Sequence, residues 1–211
     1  MLGSLKRKIL NRGAYLISYI KLIPLLRKDL SGTVVLDCGA NQGEIAALFA
    51  KTKAEVYAFE PDPIAYSLLS KRFEGVAKVH CLQKAVWIEP DQLDLYLHTS
   101  QDGKNADFTV SSSLIKEKKN VSDQHNISIE AIDLIDFIDK LGKKVSILKM
   151  DVEGAEIKIL ERIITEKAYH RIGLILVETH ETKIPNQAGS LLKIIEAISK
   201  QKINNIKLNW I

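Results

Sequence analysis

Thr33-Val34-Val35-Leu36-Asp37-Cys38-Gly39-Ala40-Asn41-Gln42-Gly43-Glu44-Ile45-Ala46-Ala47-Leu48-Phe49-Ala50 decides the fold of this chain. Its apolar opening, Thr33 to Leu36, reads as a strand buried on both faces, as strands of a parallel sheet are. Its end, Glu44 to Ala50, reads as a helix with an apolar stripe. Between them lies a turn with two glycines, which let backbone approach a ligand and adopt torsions closed to other residues. The helix start adds unpaired N–H groups beside that turn. Together these parts make a cradle for a nucleotide cofactor. A second apolar run, Val56-Tyr57-Ala58-Phe59, ends at Glu60, seventeen residues after Gly43. An acid at the tip of the second strand is the usual acceptor for ribose hydroxyls in this architecture.

The glycine spacing narrows the nucleotide. A dinucleotide site uses G-x-G-x-x-G, with a pyrophosphate on the helix start. Here the spacing is Gly39-x-x-x-Gly43, entered through an acid, Asp37. An acidic entry repels pyrophosphate and tolerates a cationic amino-acid group. S-adenosyl-L-methionine carries adenosine, an ammonium and a sulfonium, and no phosphate. The other reading of the turn is a structural loop in an unrelated α/β protein.

The bulk properties agree with one globular domain. The chain has 211 residues, 46% hydrophobic and 27% charged, enough for a sizeable core. Cys38 and Cys81 lack metal-ligand spacing and read as small packing groups, which fits a reducing cytoplasm. The net charge of +4 is concentrated at the start. Lys6, Arg7, Lys8, Arg12, Lys21, Arg27 and Lys28 precede the first strand, with no acid until Asp29. Residues 1–30 therefore form a basic amphipathic helical segment ahead of a domain over 31–211. Lys21 and Pro24 interrupt its apolar stretch, which is too short to span a membrane. The segment is expected to cap the domain; peripheral contact with an anionic membrane is the alternative.

Strands and helices alternate from there. Strands are expected at Val34–Ala40, Glu55–Glu60, Lys78–Val86, Leu93–His98, Val145–Asp151, Ile172–Thr179 and Ile206–Ile211. Helices are expected at Gly43–Lys51, Pro63–Phe73, Ala131–Leu141, Ala155–Glu166 and Gln187–Lys200. Residues 99 to 126 read as a long irregular loop, of the kind that is usually functional or disordered. Ile127-Ser128-Ile129 resumes a strand. This order gives a doubly wound, mostly parallel sheet, with ligands beyond the carboxyl ends of its strands.

Acids and a histidine collect at those ends: Asp37, Glu60, Asp151, Glu153, Glu178 and His180. Asp151, Glu153 and Glu156 could equally serve the start of the following helix, where acids are favoured. Period-two alternation points Glu178 and His180 the same way, and a carboxylate can fix the tautomer of a histidine and make it a better base. Asp151, Glu178 and His180 are also chemically suited to a metal, but their spacing carries no diagnostic pattern, so no metal is assigned.

The chain resembles the FkbM-type S-adenosylmethionine-dependent methyltransferases. The resemblance lies in Val35 to Gly43, Phe59-Glu60-Pro61, Lys84-Ala85-Val86, Ser112-Ser113-Leu114, Lys149 to Glu156, and Val177-Glu178-Thr179-His180. It implies a Rossmann-like class I methyltransferase fold and O-methylation, commonly of sugar or polyketide hydroxyls. It also implies cofactor binding by Asp37, Gly39, Asn41, Gly43, Glu60, Ser112 and Ser113. Two features depart from the family. Ile129-Glu130-Ala131-Ile132-Asp133 stands where the family has Thr-Leu-Asp. One terminal strand stands where the family has an antiparallel hairpin.

The expected activity is methyl transfer to a hydroxyl, of a sugar in a glycan or glycolipid. His180 and Asp151 are the candidate bases, and Glu178 supports the imidazolium. The expected partner is a small-molecule or glycan acceptor, and no nucleic acid: there is no N/D-P-P-Y run and no stacking platform among the basic residues. The alternatives are a non-catalytic cofactor-binding or interaction protein and a NAD-dependent oxidoreductase. The missing G-x-G-x-x-G argues against the oxidoreductase.

Overall fold

A computed structural model describes residues 20–98, 112–208 and 210. In chain order the elements are α1 (residues 20–26), β1 (Val34–Cys38), α2 (Glu44–Phe49), β2 (Glu55–Phe59), α3 (Pro63–Arg72), β3 (Val79–Leu82), β4 (Ala85–Trp87) and β5 (Asp91–His98). They continue with β6 (Val121–Asp133), α4 (Leu134–Lys140), β7 (Val145–Met150), α5 (Glu156–Thr165), β8 (Ile172–Val177), α6 (Gln187–Lys200) and β9 (Ile206–Leu208).

Six strands form one sheet in the order β3-β2-β1-β7-β8-β9, and every neighbouring pair is parallel. The order reverses between β1 and β7. A crevice therefore opens beyond their carboxyl ends, where open α/β sheets bind ligands. Burial follows the strand period. Val34, Leu36 and Cys38 join one core with α4, α5 and α6, while Val35 joins the other with α1, α2 and α3. The sheet thus has an apolar layer on each face, which is why its strands read as unbroken apolar runs.

Local chemistry sets the helix starts. Asp62 caps α3 by accepting from the Ile64 and Ala65 amides at 2.9 and 3.2 Å, with Pro63 at the first turn. Asp133 caps α4 in the same way, through the Ile135 and Asp136 amides. The Ile-Glu-Ala-Ile-Asp variant thus keeps the capping acid.

Four expectations are corrected. The strand expected over Lys78–Val86 is two strands in different sheets, broken at Gln83-Lys84. Residues 121–126, expected in the irregular loop, belong to the thirteen-residue β6. The helix expected from Ala131 starts at Leu134, because Ala131, Ile132 and Asp133 still pair with β4. Beyond these, β4, β6 and β5 make a second, three-stranded sheet that the single-sheet expectation lacked. Its apolar residues Leu95, Ile129 and Ala131 form a small separate core.

The strand expected to Ile211 is observed as β9, with residues 209 and 211 outside the described set. β9 lies parallel beside β8. Most of the expected N-terminal segment, and residues 99–111 of the loop, also lie outside the described residues. Within α1, Leu22 is buried in the core layer that holds Phe49 and Trp210. No helix among the described residues is long and apolar enough to cross a membrane.

Candidate active site

The glycine turn is locked to its neighbours. The Gly39 and Ala40 amides both donate to the Phe59 carbonyl, at 3.0 and 2.9 Å, tying the turn to the tip of β2. Gly39 has φ +75°, and a Cβ there would stand 1.8 Å from the Asp151 carbonyl oxygen. Only glycine fits where these two strand ends meet. Gly43, φ +82°, leaves no room for a Cβ against Leu69 of α3 and Phe73 just beyond it.

Lys149 is the hub beneath this turn. Its buried ammonium donates to the Gly39 carbonyl at 2.7 Å and lies 3.1 Å from Asp37 Oδ1 and 3.8 Å from Asp151 Oδ2. Burial opposes its charge, but Asp37 and Asp151 outweigh that and hold its pKa above the ordinary lysine value. Asp37 is itself fully buried, and burial raises its pKa against the pull of Lys149. The acid of the turn therefore faces inward to Lys149. Nothing local marks this role, because the partners of Lys149 lie on β1 and in the turn after it.

A cleft of about 660 Å³, measured to its open mouth, lies over the carboxyl ends of β1, β2 and β7. Gly39, Asn41, Glu60, Asp151 and Glu153 give it a polar, acidic side, and Phe59, Val86, Leu95 and Leu114 an apolar one. Glu60 is buried at its edge. One oxygen accepts from the Asn41 amide at 2.8 Å and the other from the Asp62 amide at 2.9 Å. Burial raises its pKa to about 8, against those hydrogen bonds. Each oxygen keeps a further lone pair, so Glu60 can still take a ligand hydroxyl.

The two serines separate. Ser112 lines the cleft and reaches Asp62 at 3.3 Å. Ser113 is buried and structural. Its hydroxyl donates to the Glu153 carbonyl at 2.6 Å, and its backbone forms a two-bond bridge with Tyr96 of β5. The second sheet is thereby fastened to the loop after β7.

That loop carries the acids. Glu153, at φ +54°, and Gly154, at φ +112°, turn the chain sharply into α5. Lys118, buried, donates to Glu153 Oε2 at 2.6 Å. Glu156 is wholly buried. One of its oxygens accepts from the Gly154 amide at 2.7 Å, the other from the His180 amide at 2.9 Å and lies 3.2 Å from His180 Nδ1. The carboxylate that orients His180 is thus Glu156, where Glu178 was expected. The i, i+24 pairing exists only in three dimensions.

His180 is 2% exposed and does not line the cleft, whereas Asp151 does, with its side chain 28% exposed. The other ring nitrogen, Nε2, faces Glu153 Oε2 at 3.3 Å, Asp151 Oδ1 at 3.7 Å and Glu178 Oε1 at 3.8 Å. Burial disfavours the imidazolium, but the Glu156 bond and the charges of Glu153 and Asp151 outweigh it and raise the His180 pKa. Burial, with the charge of Asp151, raises the Glu178 pKa to about 7.

Comparison with known proteins adds the following. The family model for the methyltransferase FkbM domain matches residues 37–202. The 2-O-methyltransferase NoeI of Sinorhizobium fredii is 26% identical over 149 residues, covering 66% of this chain and 60% of NoeI. The hexuronic acid methyltransferase AglP of Haloferax volcanii is 25% identical over 170 residues, covering 80% of this chain and 64% of AglP. Methyltransferase 1 of Beauveria bassiana is 27% identical over 164 residues, covering 71% and 65%. The chain thus spans somewhat less than two thirds of the length of these relatives. No solved structure matches it significantly.

Proposed function

The chain belongs to the FkbM methyltransferase family, and we propose that it moves a methyl group from S-adenosyl-L-methionine to a hydroxyl of a sugar-containing acceptor. One observation carries the choice of cofactor. Among the described residues the cleft lining carries three acids, Glu60, Asp151 and Glu153, the last two already facing Lys149 and Lys118, and one lysine, Lys84, paired to Glu130 at 2.6 Å, which leaves no unpaired cation for a phosphate. Such a lining suits a cationic, phosphate-free nucleoside and opposes a pyrophosphate. The sugar acceptor is supported by the printed activities of NoeI and AglP.

Gly39 and Asn41 offer backbone close to the ligand, and Glu60 accepts from the ribose hydroxyls. Phe59, Val86 and Leu114 provide the apolar slot for a base. When bound, S-adenosylmethionine supplies a methyl group on a sulfonium that is already a good leaving group. The chain's own task is then to hold the acceptor in line and accept one proton. Asp151 is the accessible carboxylate for that proton. His180 stands behind it, with Glu178 alongside, and acts on Asp151 by fixing its charge and position.

Melting curves with S-adenosylhomocysteine and with NADH test the cofactor. Stabilisation by the first alone is expected, and stabilisation by NADH alone would overturn the reading. Transfer of labelled methyl from S-adenosylmethionine to hydroxyl-bearing oligosaccharides tests the reaction. Binding without transfer to any of a broad acceptor panel would make the chain a cofactor-binding protein instead.

A further inference from the structure

The carboxyl ends of β7 and β8 bring more negative charge together than the nearby lysines offset. Asp37, Asp151, Glu153, Glu156 and Glu178 surround Lys149 and Lys118, the two buried ammoniums. Lys149 serves Asp37 and one oxygen of Asp151, and Lys118 serves Glu153. Asp151 Oδ1 and Glu178 Oε1 then share only the face of His180.

His180 is the second, independent observation. It is almost wholly buried, and its Nε2 points among three carboxylates, 3.3 Å from Glu153 Oε2, 3.7 Å from Asp151 Oδ1 and 3.8 Å from Glu178 Oε1. Its Nδ1 lies against Glu156 at 3.2 Å. A carboxylate on one ring nitrogen, with the other aimed at an open point among oxygens, is how proteins present histidine to a metal. The buried Glu156 also accepts the His180 and Gly154 amides, so the ring cannot turn away.

We propose that Asp151, Glu178 and His180 hold a divalent cation, Mn²⁺ in preference to Mg²⁺ or Ca²⁺, at the edge of the cleft. One ligand atom from each lies within 4.8 Å of the other two. Bonds of about 2.0–2.2 Å place neighbouring ligand atoms about 3–3.5 Å apart. The observed 3.7 and 3.8 Å from Nε2 exceed this by a few tenths of an ångström, and the Asp151–Glu178 edge, within 4.8 Å, has up to about 1–2 Å to close. One imidazole with two carboxylates suits a borderline transition ion better than the all-oxygen preference of Mg²⁺ and Ca²⁺. Three protein ligands leave coordination positions open toward the cleft, where Asp151 is its lining residue. A cation there provides a Lewis acid for an acceptor oxygen. That role rests on the methyl-transfer reading; the binding of the ion does not.

The test is titration of chelator-treated, desalted full-length protein with Mn²⁺, followed by loss of the free-ion electron paramagnetic resonance signal. One ion per chain is expected, with Asp151→Asn and Glu178→Gln each weakening binding at least about tenfold. Glu196→Gln, an exposed acid on α6, should bind as the unaltered chain does. Melting curves of each variant without metal separate lost binding from lost folding, and the better folded variant decides. No binding at millimolar Mn²⁺, or undiminished binding by a folded Asp151→Asn protein, overturns the site. S-adenosylhomocysteine binding measured in parallel keeps the two ideas apart. Cofactor binding without Mn²⁺ binding sinks only the cation, and the reverse sinks only the cofactor.

Discussion

At the residue scale, Glu60 and Gly39 carry the cradle for different reasons. Glu60 is the residue proposed to take the ribose hydroxyls, and its oxygens are each half used by the backbone. Two hydrogen bonds to a ribose diol, at about 0.5–1.5 kcal/mol each, would total about 1–3 kcal/mol. Glu60→Ala should therefore weaken S-adenosylhomocysteine about tenfold to a hundredfold by calorimetry. An unchanged affinity would remove Glu60 from the site. Gly39 is a packing necessity, since its missing side chain makes way for the Asp151 carbonyl. Gly39→Ala should cost more than about 2 kcal/mol in chemical denaturation, through steric overlap and the positive φ. Both residues were legible in the sequence, because a glycine turn and a strand-end acid are local signals. What Lys149, Glu156 and Ser113 hold was not legible. Their partners lie 110, 24 and 40 residues away in sequence.

At the element scale, Asp133 shows how one residue serves two elements. It ends β6, caps α4, and accepts from Arg162 of α5 at 2.7 Å. Asp133→Ala removes the cap and the pair together. A cap alone is worth about 0.5–2 kcal/mol, and the half-exposed pair adds less than about 1 kcal/mol. The expected loss is about 1–3 kcal/mol in urea unfolding, with Asp133→Asn recovering most of the cap. A loss below a few tenths would show that α4 is held by packing alone. The element borders that periodicity misplaced lie at β4 and β6. There the apolar pattern continues while the chain leaves one sheet for another, and only pairing partners mark the change.

At the scale of the whole molecule, the acids buried under the cleft make stability depend on pH. Glu60 holds its proton up to about pH 8 when folded, against 4.5 for an ordinary glutamate. Below pH 4.5 it is protonated in both states. Between these values only the folded chain keeps the proton, so stability is lost as pH rises through the window, by at most about 1.4 kcal/mol per unit. The melting temperature of the ligand-free, metal-free protein should show this falling component between about pH 5 and 8, smaller in Glu60→Ala. A wild-type profile identical in slope to that variant would show that Glu60 is ordinary in the folded chain.

The sequence by itself determined the parallel doubly wound sheet, the glycine cradle and the collection of acids at the strand ends. Strand runs, glycine spacing and helix caps are written within about twenty neighbouring residues. The tertiary structure alone decided which acids reach the cleft and which are spent beneath it. Burial and pairing depend on what other elements bring: β7 carries Lys149 to Asp37 and the first turn, and α5 carries Glu156 to His180. Residue type cannot tell an exposed carboxylate from one already holding a ring or an ammonium, because that difference is made by distance and exclusion of water.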